Sequence, residues 1–240
     1  MGDLSELKKA LGTYAADHFV RDGMKLGLGT GSTAIWAARR VAERLSGGGL
    51  RDIRVVVTSL QTELEARALG IPVLTLNDAS LESSLDLVID GADEVDPAGN
   101  MIKGGGGALL MEKIVAYSSR SLVIVVDHTK LSQKLCERFA IPVEVVKDAM
   151  APVRRRLEEM GGEVSLRMAV RKAGPVVTDL GNLLLDVTFR GAFDPGKMEN
   201  ELKLIPGVLE DGLFTKRPPA LVIGRADGSV ETRGAPVRFD

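Results

Sequence analysis

Apolar positions recur every three or four residues over 4–20, at Leu4, Leu7, Leu11, Ala15 and Phe19, which is the spacing of one buried helix face. An apolar segment at 24–28 predicts a short strand running into GLGTGST. Ile35, Ala38, Val41, Ala42 and Leu45 then predict a helix over 32–45, which the GGG of 47–49 terminates. RVVVTS (54–59) reads as a buried strand, and QTELEARALG as a helix stopping at Gly70. IPVLTL (71–76) is the next strand, and a further one lies at about 85–89. After MIKGGGG (101–107), ALLMEKIVAYSS reads as a helix and SLVIVVD as an almost continuous apolar strand. Strands apolar on both faces, alternating with helices, predict a mostly parallel sheet covered on both sides.

The rhythm changes near residue 135. IPVEVV, PVRRRLEEMG, GEVSLRMAV, LLLDVTF, DPGKMENELKL and PGVLE predict the order β-α-β-β-α-β, with the second helix starting behind Asp194. That order is the split βαβ arrangement of a ferredoxin-like module. PALVIGRADGSVETR reads as a hairpin turning at Asp227-Gly228, completing the first domain after the smaller one. The predicted fold class is therefore α/β. It has a Rossmann-like domain over 1–134 and 212–240 and a ferredoxin-like α+β domain over 135–211, inserted near the C-terminus.

Charge narrows the function classes. Among 240 residues, 31 Lys plus Arg face 33 Asp plus Glu, a net charge of −2 that gives no support to nucleic-acid binding. Cys136 is the single cysteine, so neither an intrachain disulfide nor a CxxC centre can form. His18 and His128 are too few and too far apart for a histidine-rich metal centre, so acid–base chemistry must rest on carboxylates and lysines. The N-terminal segment has no long apolar run, which predicts neither signal peptide nor membrane span and a cytoplasmic location. One excess stands out: 27 glycines, about 11% against a usual level of roughly 7%.

Two glycine clusters sit at predicted strand-to-helix junctions. In GLGTGST the dinucleotide pattern GxGxxG fails at Ser32, and no GK[ST] follows. Gly29, Gly31 and the hydroxyls of Thr30, Ser32 and Thr33 suit a single phosphate at a helix N-terminus. The alternative is a tight turn with a capped helix. In MIKGGGG, Lys103 enters directly into Gly104, Gly105, Gly106 and Gly107. This is either a cation beside exposed amides, suited to an oxyanion, or a mobile surface loop with a solvated lysine. Asp90 is expected at the C-terminal end of its strand, with Asp93 three residues on, while Glu94 and Asp96 face solvent or bind a cation. Glu112 falls in the first turns of the following helix, where a solvated carboxylate would merely favour the dipole. Asp90, Asp93, Lys103 and Glu112 together supply a base, a second acid and a cation, the set that moving a proton between adjacent sugar carbons requires without metal or organic cofactor.

These motifs carry a resemblance. LKKA (7–10), GLGTGST, SLQTE (59–63), DGADEVD (90–96), MIKGGGGALLMEK (101–113), DHTK (127–130), PVEV (142–145), VTDLGNLLLDV (177–187) and IPGVLEDGLF (205–214) resemble ribose-5-phosphate isomerases of the A type, over nearly the whole chain. The resemblance implies interconversion of ribose 5-phosphate and ribulose 5-phosphate in the non-oxidative pentose phosphate pathway. It implies Glu112 as general base, Asp90 as the acid for ring opening and hydroxyl proton transfer, Asp93 as a positioning group and Lys103 beside the enediolate. It places Thr30, Ser32 and Thr33 in the substrate loop and Lys8 and Lys130 at the phosphate end. It also implies a homodimer or homotetramer, with 135–211 involved in assembly. Gly107 and Met111 depart from the alanine and arginine common in the family. The rival readings are a coenzyme A transferase-like or other sugar-phosphate enzyme, which in the first case would form a covalent adduct at Glu112, and a sugar-phosphate sensor that binds without turnover.

Overall fold

The computed structural model describes residues 4–237 and 239. The chain forms two compact units, Met1–Ala92 with Met111–Lys130 and Arg217–Asp240, and Asp93–Leu110 with Leu131–Lys216.

In the first unit, α1 (Leu4–Phe19) leads into β1 (Lys25–Leu28), α2 (Ala34–Ser46), β2 (Arg54–Val57), α3 (Leu60–Ala68), β3 (Val73–Leu74) and β4 (Leu85–Asp90). The chain then enters the second unit through β5 (Glu94–Val95) and β6 (Met101–Ile102). It returns along α4 (Leu109–Tyr117) to β7 (Ser119–Asp127). The second unit continues with β8 (Ile141–Val145), α5 (Met150–Glu159), β9 (Glu163–Leu166), β10 (Leu183–Thr188), α6 (Pro195–Lys203), β11 (Val208–Asp211) and β12 (Leu213–Phe214). β13 (Ala220–Gly224) and β14 (Val230–Gly234) close the first unit as the expected hairpin, with Gly228 at φ +86° in its turn.

The first unit's seven-stranded sheet has the order β14-β13-β7-β4-β1-β2-β3 and is parallel except for the β13–β14 pair. Its core joins Leu26, Leu28, Val55, Leu87, Ile89, Val123 and Val125 of the strands to Leu11, Ala15, Ala38 and Val41 of the helices. At about 25 cal/mol per Å² of apolar surface removed from water, such side chains supply most of the stabilisation. The strand expected over 71–76 is confined to Val73–Leu74. It is an edge strand, Pro72 offers no N–H, and the Thr75 carbonyl turns the chain by accepting from Asp78 N at 2.9 Å.

The second unit's four-stranded sheet, β11-β8-β10-β9, is antiparallel throughout, the ferredoxin-like order. Ile141, Val143, Val145, Leu185 and Val187 share one cluster with Val153 and Leu157 of α5 and Met198 and Leu202 of α6. Because side chains alternate, Pro142, Glu144, Leu184 and Asp186 occupy the other face. A three-stranded sheet, β12-β6-β5, is built from two-residue strands too short for any periodicity to announce. Its pairing of Leu213 with Ile102 and of Phe214 with Met101 groups 93–110 with the second unit.

Glu144 is 1% exposed on that other face. Its Oε1 accepts from Thr178 Oγ1 at 2.8 Å and Asn182 Nδ2 at 2.9 Å, and Glu210 is its cross-strand partner. Burial raises its pKa above the ordinary carboxylate value, the two hydrogen bonds oppose this, and the charges of Asp179 and Glu210 add to the rise. A carboxyl whose folded pKa is raised binds more protons folded than unfolded, so stability falls as pH climbs from the unfolded to the folded pKa. Glu144→Gln keeps an acceptor for both hydrogen bonds. Thermal melts are expected to show the variant at least as stable as wild type at pH 8 and indistinguishable near pH 4. A lower melting temperature at pH 8 would contradict this.

Candidate active site

In the first unit the strand order reverses between β1 and β4: the chain runs β1, β2, β3 outward on one side and resumes with β4 on the other. Ligands of open α/β sheets bind beyond the carboxyl ends of strands at such a switch point. Asp90 ends β4 there, fully buried, and its Oδ1 accepts from Thr30 N at 3.1 Å and Gly91 N at 2.7 Å. Gly29, just past β1, makes this placement possible, because a Cβ on it would lie 2.0 Å from Asp90 Oδ1. The glycine is therefore an approach requirement: the carboxylate occupies the space of its missing side chain.

The hydroxyls of GLGTGST are used differently from one another. Thr30 Oγ1 points into a cluster, 2.7 Å from both Thr58 Oγ1 and Ser59 Oγ and 3.3 Å from Thr62 Oγ1. Thr62 Oγ1 in turn donates to the Gly29 carbonyl at 3.0 Å. Ser32 Oγ accepts from Lys8 Nζ at 3.0 Å, so the α1 lysine and the loop meet. Thr33 is the N-cap of α2 without a side-chain capping bond, and Gly31 takes φ +109°. The three hydroxyls thus stand in different settings, Thr30 held by Thr58, Ser59 and Thr62, Ser32 beside a cation, and Thr33 at the start of α2. Thr58 and Ser59 were visible at the end of β2, but their partnership with Thr30 follows from parallel pairing of β1 and β2. Lys130 ends the 3-10 turn His128–Lys130, directly after β7, the strand beside β4. Glu112 stands in the first turn of α4 at 4% exposure, so the reading of a solvated, dipole-favouring carboxylate does not hold.

In the second unit Lys103 follows β6 at 2% exposure, its N bonded to the Gly212 carbonyl at 2.9 Å. Its Nζ lies 5.4 Å from the centroid of the Phe214 ring, within cation–π reach. This replaces the solvated lysine of a mobile loop with a buried ammonium on an anchored one. Asp93 N donates to the Ile102 carbonyl at 2.9 Å, and Asp93 Oδ2 accepts from Gly105 N at 2.7 Å. Gly104, at φ +99°, closes a turn by accepting from Gly107 N at 2.9 Å, leaving Gly105 and Gly106 exposed.

Glu94 and Asp96, expected to face solvent or hold a cation, are 0% and 9% exposed and are occupied by backbone amides. Glu94 accepts from the N–H groups of Cys136, Glu137 and Arg138, and Asp96 from those of Ala98 and Asn100 and from Asn100 Nδ2. Acids so engaged fix loops; they have little left to offer a metal. Asp90, Asp93, Lys103 and Glu112 sit beside loops rich in glycine.

Residues 54–228 match the family model described as Ribose 5-phosphate isomerase A (phosphoriboisomerase A). The chain is 46% identical over 236 residues to "Ribose-5-phosphate isomerase A" of Treponema denticola, covering 95% of this chain and 99% of that protein. It is 49% identical over 232 residues to the protein of the same name from Synechococcus sp. (strain WH7803), covering 96% of each. Among solved structures, ribose 5-phosphate isomerase A of Methanocaldococcus jannaschii superposes with a TM-score of 0.89 at 40% identity, over 97% of this chain and all of that one. A D-ribose-5-phosphate isomerase in complex with phospho-erythronic acid gives 0.90 at 39%, over 96% and 98%. These matches define an enzyme of the isomerase class. The chain belongs to the ribose 5-phosphate isomerase A family.

Proposed function

We propose that the protein interconverts D-ribose 5-phosphate and D-ribulose 5-phosphate through an enediol(ate), the step of the non-oxidative pentose phosphate pathway. The observation that carries this reading is the burial of three ionisable groups, Asp90, Lys103 and Glu112, at 0%, 2% and 4% exposure. Sites of chemistry are where proteins keep ionisable groups out of water.

In the proposed cycle the sugar opens with Asp90 assisting proton transfer at the ring oxygen. Glu112 then removes the C2 proton of the aldose, and the electron pair moves to give an enediolate over C1 and C2. Lys103 and the Gly104–Gly106 segment stabilise the developing oxyanion, with the Gly106 N–H as amide donor while Gly105 N holds Asp93. Glu112 returns the proton to C1, Asp90 exchanges the hydroxyl protons, and Asp93 positions the substrate. Lys8, Lys130 and Gly29–Thr33 receive the phosphate at the start of α2. No metal or organic cofactor takes part in these steps. Phospho-erythronic acid, bound by one relative, is a phosphorylated sugar acid whose planar carboxylate has the shape and charge of an enediolate. We further propose that the protein is a cytoplasmic homodimer or homotetramer assembled through 135–211, with no nucleic-acid or membrane partner.

The test is conversion of ribose 5-phosphate by the purified protein, with and without a chelator, followed by mass analysis after exposure to acyl-coenzyme A. Ketose formation at equal rates in both arms, with no adduct, is expected. Absence of ketose, or a coenzyme A adduct on Glu112, would contradict the reading.

A further inference from the structure

Arg167 connects β9 to the glycine loop in a way the catalytic groups above do not use. Its Nε donates to Asp186 Oδ2 at 2.9 Å and its Nη2 to Asp186 Oδ1, a two-pronged pair on the face of the sheet opposite α5 and α6. Its Nη1 donates to two carbonyls, Gly104 at 2.9 Å and Gly105 at 3.1 Å. The side chain is only 15% exposed, so the fork is fixed from three sides. A guanidinium is suited to this because its donors diverge in one rigid plane, which a lysine ammonium cannot reproduce.

The consequence lies in two successive peptide planes. In a trans peptide the carbonyl and the following N–H point in opposite directions. The Gly104–Gly105 plane is held at both ends, its carbonyl by Arg167 and its N–H by Asp93 Oδ2 at 2.7 Å. The Gly105–Gly106 plane is held at its carbonyl, which turns the exposed Gly106 N–H away from Arg167. Glycine has no side chain to hold such planes, so their direction depends on these outside contacts. A Cβ on Gly105 would lie 2.6 Å from Asp93 Oδ1, which shows how closely the carboxylate and the loop are fitted.

We propose that Arg167, locked by Asp186, is a positioning residue for the isomerisation: it sets the direction of the loop amides and, through Gly105, of the Asp93 carboxylate. This rests on the reading that the loop stabilises the enediolate. A misdirected loop weakens interactions realised in the enediolate more than those with the bound sugar, so loss of the fork belongs in kcat and not in KM.

The experiment measures kcat and KM for ribose 5-phosphate, and the affinity for phospho-erythronic acid, in wild type, Arg167→Met and Arg167→Lys, with melting curves for each. Misplacement of about 1 Å at a reacting centre costs up to ~10²-fold. Arg167→Met is expected to lose about 10- to 100-fold in kcat with KM within about 2-fold, and to lose affinity for phospho-erythronic acid in parallel. Arg167→Lys, which retains charge without the fork, is expected to recover only part of the loss. If Arg167→Met unfolds, Arg167→Lys carries the same test. A folded variant with wild-type kcat, or one whose KM alone rises, would overturn the proposal while wild-type turnover leaves the enediolate reading in place. A wild type that makes no ketose would instead remove that reading itself.

Discussion

Glu112→Gln is expected to lower kcat by about 10²- to 10⁴-fold, the range that a positioned general base contributes, with KM changed little. Glutamine matches glutamate in shape and occupies the same first turn of α4, so binding of the phosphate end is retained. What it lacks is the basic oxygen that takes the C2 proton in the proposed cycle. The variant keeps the shape of a side chain that is 4% exposed, and melting curves are expected to show it folded. Loss of turnover without loss of stability distinguishes a base from a structural acid. Glu94 supplies the contrast, because its oxygens hold three backbone amides and its removal would be felt in folding.

Gly29→Ala is the second large effect. The added Cβ would lie 2.0 Å from Asp90 Oδ1 and 2.1 Å from its Cγ, far inside contact distance. Asp90 is fully buried on β4, so it cannot swing into solvent without leaving the Thr30 and Gly91 amides. Overpacking of this kind costs about 1–3 kcal/mol, and displacement of the acid of the proposed cycle is expected to cost about 10²-fold or more in kcat/KM. Melting curves and initial rates on the single variant check both. Because the Asp90 Cβ would itself lie 2.5 Å from the new methyl, the double variant Gly29→Ala/Asp90→Gly is the one that removes the clash, and it is expected to regain melting temperature relative to the single variant while remaining inactive. Recovery of neither, or wild-type activity in the single variant, would contradict the packing account.

Most of the fold was legible from local pattern. β4 and β7 were mostly apolar runs, α2 ended at consecutive glycines, and Asp194 capped α6 by accepting from Lys197 N at 2.9 Å. The three-stranded sheet was not legible, because two-residue strands have no period and their pairing joins 101–102 to 213–214. The same holds for the site. Asp90, Asp93, Lys103 and Glu112 stand within 23 residues of sequence and beside glycines, so chemistry and spacing pointed to them. Thr58, Ser59 and Thr62 become partners of Thr30 only when β1 and β2 pair. Arg167 reaches Gly104 across 63 residues of sequence, in a stretch that reads as an ordinary polar strand end. Glu94 and Asp96 show the opposite error: acids in a loop look solvent-facing until the backbone amides they hold are placed. All four of Asp90, Glu94, Asp96 and Glu112 are buried, and it is the loop amides held by Glu94 and Asp96, which no local pattern reports, that identify these two as structural.

The most direct measurement follows ribose 5-phosphate carrying deuterium at C2, in ordinary water, with wild type and Glu112→Gln. Loss of the label to solvent or its transfer to C1 of ribulose 5-phosphate is predicted to accompany turnover in wild type, and both are predicted to fall together in the variant. Near-normal turnover and label movement in a folded Glu112→Gln protein would contradict the assignment of Glu112 as the base.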